Sequence, residues 1–236
     1  MRADDRQNVL KLLRRGKWFG ELPEDLQCLL VDNSMIRLAE QNQVLIAEER
    51  RPPGMFALLE GQVAITRQIG DTGGFFFHLG GPGFWFGESG LLNRKYAVIT
   101  ATARTKVRTL FLPVNSFEQI INAEPRYYRL IVKLVLARYA MLMRNLGQSN
   151  TLQPEEYLRI RLADLSDMIH SEGYSGDIVE LALSQTDLAA MIGSSRQTVN
   201  MLLKKLESAG LIEVAFRKIK IVDPSGLRGD RRKTGL

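Results

Sequence analysis

The segment from Ser184 to Leu206 carries polar side chains at a spacing suited to contacts with nucleic acid. Arg196 and Gln197 start a predicted helix, and both side chains can form paired hydrogen bonds with base edges in the major groove of DNA. The apolar positions repeat at helical spacing and are expected to face a core: Val199, Leu202, Leu203 and Leu206. The opposite side carries one methionine among polar residues: Arg196, Gln197, Asn200, Met201 and Lys204. The pattern predicts a helix whose polar face is free to contact a duplex.

A shorter helix is predicted immediately before this one. Ser184 and Asp187 have the spacing of a capping box, in which each side chain bonds the other residue's backbone amide. Gly193 permits a sharp turn where a side chain would clash, and Ser194 is expected to cap the second helix, with Gln197 three residues on. Two helices and a tight turn predict a helix-turn-helix, whose second helix enters the major groove. The alternative is an ordinary helical hairpin with a solvated polar face.

The distribution of charge favours a polyanionic partner. The chain has a net charge of +6 and a pI near 9.5. After Leu181, ten basic residues stand against five acidic ones, so most of the excess lies beside the predicted reading helix. Lysine and arginine in such a cluster neutralise phosphates, which is the sequence-independent part of DNA binding.

Length and composition set further bounds. A chain of 236 residues, 45% hydrophobic and 25% charged, is typical of one large or two modest globular domains. The sequence has no apolar run long enough for a transmembrane helix and no secretory signal core, so a cytoplasmic location is expected. Cys28 is the single cysteine, which excludes an internal disulfide. An enzyme is not expected, because no nucleophile–base pattern, metal-ligand spacing or phosphate loop is present.

Short β-prone runs dominate the chain from about Met35 to Pro113. They are separated by Gly, Pro and Asn clusters, which is typical of an antiparallel sandwich or barrel: Met55–Leu59, Val63–Thr66, Phe75–Leu79 and Val107–Leu112. Short helices are predicted on either side of this region: around Val9–Leu13, within Trp18–Leu30 with Pro23 near its first turn, and near Phe117–Ile121. The chain is therefore expected to be an α+β protein.

Pro125 is predicted to start a long helix that reaches about Gly147. One apolar row along it is left for a partner helix, as in a short coiled coil: Val132, Val135, Tyr139, Leu142 and Leu146. A second row is expected to pack on the β-rich region: Leu130, Leu134, Ala137 and Met141. We therefore expect a homodimer, and the alternative is burial of both rows in one large core.

These features divide the chain into four parts. Residues 1–124 are expected to form the β-rich domain, 125–149 the dimerisation helix, 150–224 the DNA-binding domain and 225–236 a disordered basic tail. The third part also contains the remaining predicted elements: a helix around Glu155–Ser171, a strand at Ile178–Leu183 and a hairpin near Leu211–Val222. Asn150–Pro154 is the expected interdomain hinge.

Three motifs together resemble the cyclic-AMP receptor protein/FNR (Crp/Fnr) family of bacterial transcription regulators. They are LLEGQVAI at Leu58–Ile65, GxxFGExxLL at Gly83–Leu92, and the segment Leu183–Glu213. The resemblance covers nearly the whole chain and implies an N-terminal antiparallel β-roll like a cyclic-nucleotide-binding domain, a long dimerisation helix and a C-terminal winged helix-turn-helix. It also implies a homodimer on a near-palindromic operator in double-stranded DNA, with RNA polymerase as a partner if the protein is an activator. A membrane partner is not implied.

The resemblance assigns roles within the reading helix. Arg196 falls where the family has an arginine that pairs with guanine, and Gln197 falls where a glutamate is frequent. Because glutamine suits adenine better, the preferred half-site is expected to differ there. Met201 stands where many members carry a second reading arginine, and methionine can only touch a thymine methyl. The full set of candidate DNA contacts is Ser184, Gln185, Ser195, Arg196, Gln197, Thr198, Asn200, Met201, Lys204, Lys205, Arg217 and Lys218.

The candidate effector site departs from the family pattern. In members that bind cyclic AMP, a Gly-Glu pair contacts the ribose, an Arg-Ser pair holds the phosphate and two long-helix hydroxyls contact adenine. The ribose element is preserved at Gly87, Glu88 and Ser89. The other positions carry neither charge nor hydroxyl: Ala97, Val98, Leu142 and Met143. Without a charge-assisted bond to the phosphate, the expected effector is not cyclic AMP. On the alternative interpretation, Glu88 only caps backbone amides of the roll.

Two alternatives retain an effector of known type. Arg94 and Lys95, just upstream of the missing phosphate contact, offer a non-standard way to hold a cyclic nucleotide. A haem-based gas sensor would need an axial ligand, for which His78, His170, Cys28 and the methionines are candidates. An iron–sulfur cluster needs about four cysteines and is excluded. Cys28 lies among leucines and is expected to be a buried hydrophobe. The sequence assigns no cofactor, and it is also compatible with a small apolar or aromatic metabolite in the roll or with no effector at all.

Overall fold

The computed structural model describes residues 3–69, 73–93, 96–171 and 178–229. These residues form an antiparallel β-roll, a long helix and a winged helix-turn-helix, which confirms the predicted α+β fold class. No helix among the described residues has both the length and the apolar character needed to cross a membrane.

Three helices precede the roll: α1 (Ala3–Leu13), α2 (Lys17–Gly20) and α3 (Glu24–Asp32). Pro23 takes the N-cap position of α3, where its missing N–H requires no helical partner. The apolar sides of these helices are buried against one outer face of the roll, with Leu13, Phe19 and Leu26 at the centre.

The roll consists of two four-stranded antiparallel sheets. The first has the strand order β1 (Met35–Ala39), β8 (Val107–Pro113), β3 (Gly54–Glu60) and β6 (Trp85–Phe86). The second has the order β2 (Val44–Ile46), β7 (Thr100–Ala103), β4 (Val63–Ile69) and β5 (Gly73–Gly80). Helix α4 (Glu88–Asn93) lies between β6 and β7, and helix α5 (Val114–Ala123) follows the last strand of the roll. Each of the four predicted β-prone runs lies within an observed strand.

Strand β3 is buried on both faces. Phe56 and Leu58 point into the roll, where Phe56 stacks on Phe86 at a ring-centroid distance of 5.2 Å. Met55 and Ala57 point outward, toward the N-terminal helices and the start of the long helix. Because successive side chains of a strand alternate between faces, the apolar residues of β3 contribute to two separate buried cores.

The long helix, α6, spans Arg126–Thr151 and begins after Pro125, as predicted. It continues past the expected end at Gly147, so the predicted hinge at Asn150–Pro154 is too long and the chain leaves the helix only at Leu152. Shortly before this extension α6 is held against α7, because the buried Asn145 accepts a hydrogen bond from Arg161 Nη1 at 2.8 Å.

The C-terminal domain combines four helices with a three-stranded antiparallel sheet. The helices are α7 (Pro154–Ser171), α8 (Gln185–Ile192), α9 (Arg196–Ser208) and α10 (Pro224–Arg228). The strand order is β10 (Ile212–Ala215), β11 (Lys218–Ile221) and β9 (Val179–Leu181). The predicted helices, strand and hairpin are confirmed.

The expectation of a disordered tail from residue 225 is wrong for its first part. The Asp223 side chain accepts a hydrogen bond from the Gly226 backbone N at 2.8 Å and caps α10. Leu227 of this helix is fully buried, and Arg159 of α7 donates to its carbonyl at 3.1 Å. The rest of the predicted tail, 230–236, lies outside the described residues.

The roll and the C-terminal domain share one apolar core. Three residues on the outer face of β4 and β5 lie in the same buried cluster as α7, α8 and α9: Ala64, Phe76 and Leu79. Gln62 adds two polar contacts, because its Oε1 accepts from Ala182 N at 2.7 Å and its Nε2 donates to Glu180 O at 2.5 Å. The roll therefore fixes the orientation of the helix-turn-helix in this structure.

Candidate nucleic-acid interface

The first helix of the pair begins at the predicted capping box, which is confirmed. Ser184 Oγ accepts a hydrogen bond from the Asp187 backbone N at 3.1 Å, and Asp187 Oδ2 accepts one from the Ser184 backbone N at 2.8 Å. The helix ends at Gly193, whose φ of 63° is the left-handed conformation that glycine adopts at low cost. These two local devices fix both ends of α8.

The second helix begins one residue later than predicted. Its N-cap is Ser195 rather than Ser194, since Ser195 Oγ accepts from the Thr198 backbone N at 3.0 Å. The Ser195 and Thr198 hydroxyl oxygens also lie 2.9 Å apart. Ser194 belongs to the turn, where its backbone N donates to Ala189 O at 3.0 Å. Because Ser194 closes the turn around the left-handed Gly193, the cap moves to the next position.

The two faces of α9 differ as the sequence predicts. The inner face is buried in the core of the C-terminal domain: Val199, Leu202, Leu203 and Leu206. The outer face is exposed to solvent and carries Arg196, Gln197, Met201 and Lys204. Met201 is 62% exposed. Asn200 is half-buried at the border, and its Oδ1 has no hydrogen-bond partner among the described residues. The outer face is called the reading face below.

Arg196 is held at the start of α9 by the preceding helix. Its Nε donates to Gln185 Oε1 at 3.4 Å, a long hydrogen bond that restrains the side chain only weakly. Its two terminal nitrogens bond no other described residue. The planar edge of the guanidinium is therefore free to bind a pair of acceptor atoms.

Several cations near the reading face are already paired. Lys205 Nζ, a candidate DNA contact, lies 2.6 Å from Glu155 Oε2 of α7, and Lys218 Nζ lies 3.0 Å from Glu180 Oε2. Two more also face carboxylates: Lys220 with Glu213, and Arg228 with Asp167. Among the described residues after β9, the cations without a carboxylate partner are Arg196, Lys204 and Arg217. The structure thus directs Lys205 toward α7 instead of outward with Lys204.

The tip of the wing carries a residue that the sequence analysis did not select. Phe216 lies in the turn between β10 and β11 and is 91% exposed. Arg217 beside it has a φ of 56°, which is uncommon for a residue other than glycine. The sequence does contain a signal for Phe216, because an aromatic residue in a two-residue hairpin turn cannot pack into the core and is therefore available to contact a partner.

The candidate effector turn lies inside the roll, at the start of α4. Gly87 has a φ of 101°, and a Cβ there would lie 2.7 Å from Gly54 O, so no larger residue fits. Glu88 follows it and is buried. Burial raises the pKa of Glu88, and the guanidinium of Arg138 partly opposes that shift. Glu88 therefore retains a proton to higher pH than an exposed glutamate does.

Arg138 of α6 connects the long helix to this turn, a role that its position in the sequence does not indicate. Its Nε lies 3.8 Å from Glu88 Oε1, and its Nη2 donates to Trp85 O at 2.7 Å. Its guanidinium carbon also lies 4.2 Å from the centre of the Phe84 ring. The helix reaches the turn through Arg138, one helical turn before the predicted Leu142 and Met143.

The position that holds phosphate in cyclic-AMP-binding members is apolar in the structure. Ala97 is buried in the roll interior, and its backbone pairs with Glu49 and Arg50. Val98 is 45% exposed. The suggested substitutes, Arg94 and Lys95, lie outside the described residues.

The apolar row predicted to meet a partner helix faces away from the roll. Tyr139 and Leu146 are 58% and 52% exposed, and the other members are partly exposed: Val132, Val135 and Leu142. Met143 beside the row is also exposed. In the second row Leu134 is buried, whereas Ala137 is exposed to a cavity described below. The first row is named the outer row of α6.

The remaining effector candidates lie in different surroundings. His78 is buried in the roll, and its two ring nitrogens have no hydrogen-bond partner among the described residues. Burial lowers the pKa of His78, and the charges of Arg138 and Arg161 lower it further, so the ring is neutral. Cys28 is half-buried rather than buried, because its side of α3 faces Arg6. Within the described ranges, no three His, Cys, Asp or Glu side chains are grouped to hold a metal.

Comparisons with known proteins identify both halves of the chain. A Crp-like helix-turn-helix domain matches residues 137–229, and a cyclic nucleotide-binding domain matches residues 36–124. The HTH-type transcriptional regulator Cmr of Mycobacterium tuberculosis is 30% identical over 148 residues, which are 62% of this chain and 56% of Cmr. The match thus spans little more than half of that relative.

Two further comparisons extend along more of the chain. The CRP-like cAMP-activated global transcriptional regulator of Mycobacterium tuberculosis is 22% identical over 216 residues, covering 92% of this chain and 96% of that protein. A Crp/Fnr-family transcriptional regulator from Thermus thermophilus has the same fold, with a TM-score of 0.63 at 23% identity over 82% of this chain and 96% of that one. A winged helix-turn-helix behind a cyclic-nucleotide-binding-type roll defines a DNA-binding regulator. The chain belongs to the Crp/Fnr family of transcriptional regulators, which are not enzymes.

Proposed function

We propose that this regulator recognises a specific DNA sequence as a homodimer and does not respond to cyclic AMP. The observation that carries the proposal is the reading face of α9, which a capped helix presents to solvent beside unpaired cations. Recognition helices contact bases through their N-terminal residues. Arg196 and Gln197 hold these positions here.

Each exposed residue of this surface has a partner of matching chemistry on DNA. Arg196 is suited to the two acceptors of guanine, and Gln197 to the donor–acceptor pair of adenine. Met201 contacts a thymine methyl, which is the only base feature that its thioether side chain can recognise. Lys204 and Arg217 contact phosphates, which position the protein without reading sequence.

The other candidate contacts support this surface from within the protein. Their side chains are engaged in caps, in ion pairs or, for Gln185, in the hydrogen bond from Arg196, so they order the reading face and adjust its charge: Ser184, Gln185, Ser195, Thr198, Lys205 and Lys218. Asn200 lies at the border of the face. Phe216 at the wing tip is placed to contact sugar or an opened base step in the minor groove.

The proposed dimer forms through the outer row of α6. Two such rows packed together bury apolar side chains that one chain leaves exposed. A two-fold axis along the paired helices places the two reading faces on half-sites about one turn of DNA apart. Contact with RNA polymerase belongs to the proposal only for the case of an activator.

Two observations support an effector other than cyclic AMP. Ala97 and Val98 supply no charge for a phosphate, and Glu88 already faces Arg138. A ribose at this turn would have to displace that contact. One relative is named as cAMP-activated, but its 22% identity does not carry the property to this chain.

The test is selection from a pool of randomised duplexes by the purified protein, followed by sequencing. We expect one enriched motif with two-fold symmetry and half-sites about 10 base pairs apart. The matched control is the double variant Arg196→Ala/Gln197→Ala, which should enrich nothing beyond general DNA affinity. If the wild type and the double variant both recovered the same weakly enriched duplexes with no shared motif, the proposal would be contradicted.

The effector part of the proposal needs a separate measurement. Calorimetric titration of the full chain with cyclic AMP, and then with cyclic GMP, should give no saturable heat. Saturable binding of either nucleotide would overturn this part and leave the DNA-binding part intact.

A further inference from the structure

A cavity of about 360 Å³ lies between the N-terminal helices, the roll and the long helix. Its walls come from the turn and helix around α2, from Gly83 and Trp85 of the roll, and from one face of α6. Met168 of α7 reaches it from the C-terminal domain. The cavity therefore contacts every major part of the chain. It does not include the Gly87–Ser89 turn, where the family's ribose contact falls.

The apolar wall of this cavity is built from aromatic rings held in place. Trp18 and Trp85 meet edge to face at 5.5 Å between ring centroids, and Phe19 stacks on Trp85 at 5.4 Å. Trp18 Nε1 donates to Leu130 O at 2.9 Å, which fixes that ring against α6. The indole nitrogen of Trp85 is buried and has no hydrogen-bond partner among the described residues. Preformed sites for organic ligands have apolar walls of this kind with few polar groups.

The charged residues around the cavity are mostly cations. Lys17, Lys133 and Arg144 line it, and none of them forms an ion pair with another described residue. Arg138 also lines it but is committed to Glu88. Glu21 is the only acidic side chain among the described lining residues. An apolar wall with unpaired cations fits a ligand that has an apolar body and an anionic head.

The cavity uses a different face of α6 from the proposed dimer contact. Each residue turns the helix by about 100°, so Ala137 and Met141 of the cavity wall lie nearly opposite Tyr139 and Leu146 of the outer row. A ligand in the cavity therefore does not compete with the outer row. Arg138 lies between the cavity and the Glu88 turn, so an occupant would also contact the residue that joins α6 to the roll.

We propose that this cavity is a regulatory binding site for an amphipathic carboxylate. The apolar body lies against Trp18, Trp85 and Leu134, and the carboxylate pairs with one of two unpaired cations, Lys133 or Arg144, which lie about 16 Å apart along α6. The proposal goes beyond DNA recognition and does not depend on it, because the binding itself is measurable without DNA.

The experiment uses the two tryptophans, since both residues of this type in the chain line the cavity. The full chain is titrated with sodium decanoate while tryptophan fluorescence is followed, and decanol serves as the uncharged ligand of equal chain length. We expect a saturable spectral change with decanoate and binding of decanol that is weaker by about tenfold. A response without saturation, or equal affinity for decanoate and decanol, would overturn the proposal.

Two variants locate the anionic head. Lys133→Ala/Arg144→Ala should weaken decanoate binding by about tenfold and leave decanol binding unchanged. The control is Arg129→Ala, which removes an exposed cation of the same helix outside the cavity and should change neither affinity. Ala137→Phe, at an exposed position on the cavity wall, should block both ligands while the circular dichroism spectrum stays unchanged. If the double variant or Ala137→Phe bound decanoate as tightly as the wild type does, the binding site would lie elsewhere.

Discussion

Arg104 of the roll and Asp187 of the helix-turn-helix form an ion pair across the domain boundary, with Nη2 and Oδ1 2.5 Å apart. The side chains are only 20% and 14% exposed. The other carboxylate oxygen of Asp187 accepts the backbone hydrogen bond of the capping box from Ser184. One carboxylate therefore starts α8 and also ties this helix to the roll, so the orientation of the reading face depends on Arg104, a residue of the roll.

Removing this pair should loosen the contact between the domains. Arg104→Ala leaves Asp187 without its charged donor in a mostly buried place, so the free energy of unfolding should fall by about 1.5–3 kcal/mol. The measurement is urea denaturation. The control is Lys106→Ala, which breaks the exposed pair with Glu40 and should cost about 0–1 kcal/mol. Equal effects of the two variants would show that the Arg104 contact does not hold the domains together.

Lys204 should contribute to affinity without contributing to specificity. Because a phosphate contact releases counterions from DNA of any sequence, Lys204→Ala should weaken binding to the selected operator and to random duplexes alike. The slope of log affinity against log salt should decrease by about one. Fluorescence anisotropy at several salt concentrations gives both quantities. Lys205→Ala, whose cation already pairs with Glu155, is the matched control with a smaller expected change. An unaltered salt slope in Lys204→Ala would argue against a phosphate contact.

A charge in the outer row of α6 should separate the dimer. Leu142→Glu places a carboxylate where two apolar rows are proposed to meet, and burial of an unpaired charge is costly. Sedimentation should show a monomer, and operator affinity should fall because each chain then binds one half-site. Ala140→Glu, at an exposed position of the same helix outside the row, should remain a dimer. A Leu142→Glu protein that sediments as a dimer would place the contact elsewhere.

Glu88 should make the stability depend on pH. Because burial raises the pKa of this carboxyl, the folded state holds the proton more tightly than the unfolded state does. The contribution of Glu88 to the free energy of unfolding is therefore fully present below its ordinary pKa of 4.5, and it is lost as the pH rises through the raised pKa of the folded state. Relative to Glu88→Gln, the wild-type protein should lose free energy of unfolding as the pH rises above 4.5 in urea denaturation.

The control for this effect is Glu60→Gln, which alters an exposed carboxyl of the roll paired with Arg108. Its pH dependence should follow that of the wild type. A constant difference between wild type and Glu88→Gln across this range would mean that the protonation of Glu88 is not linked to folding.

The features that the sequence predicts well are local ones. The capping box at Ser184 and Asp187, the left-handed Gly193 and the apolar spacing along α9 each involve residues within one or two helical turns. Such signals are complete within a short segment, which explains why the helix-turn-helix could be predicted. The first cap was found correctly, and the second was misplaced by one residue because Ser194 and Ser195 are chemically the same.

The features that the sequence did not predict depend on contacts between distant segments. Arg138 contacts Glu88 only because α6 packs against the roll, and Arg104 contacts Asp187 only because the roll packs against the C-terminal domain. The helix at Pro224–Arg228 has a basic, glycine-containing sequence that resembles a tail, but Leu227 is buried against α7. In each case the tertiary contact decides the structure, and spacing along the chain does not indicate it.

The most direct test of the central claim is the discrimination shown by Arg196→Ala. Affinities of the wild type and the variant are measured on the selected operator and on the full set of its single base-pair substitutions, at one fixed salt concentration. The variant should lose about 1–3 kcal/mol of discrimination at one base pair of each half-site and keep its preferences elsewhere. A uniform loss on all duplexes, including random ones, would contradict a base-reading role for the outer face of α9.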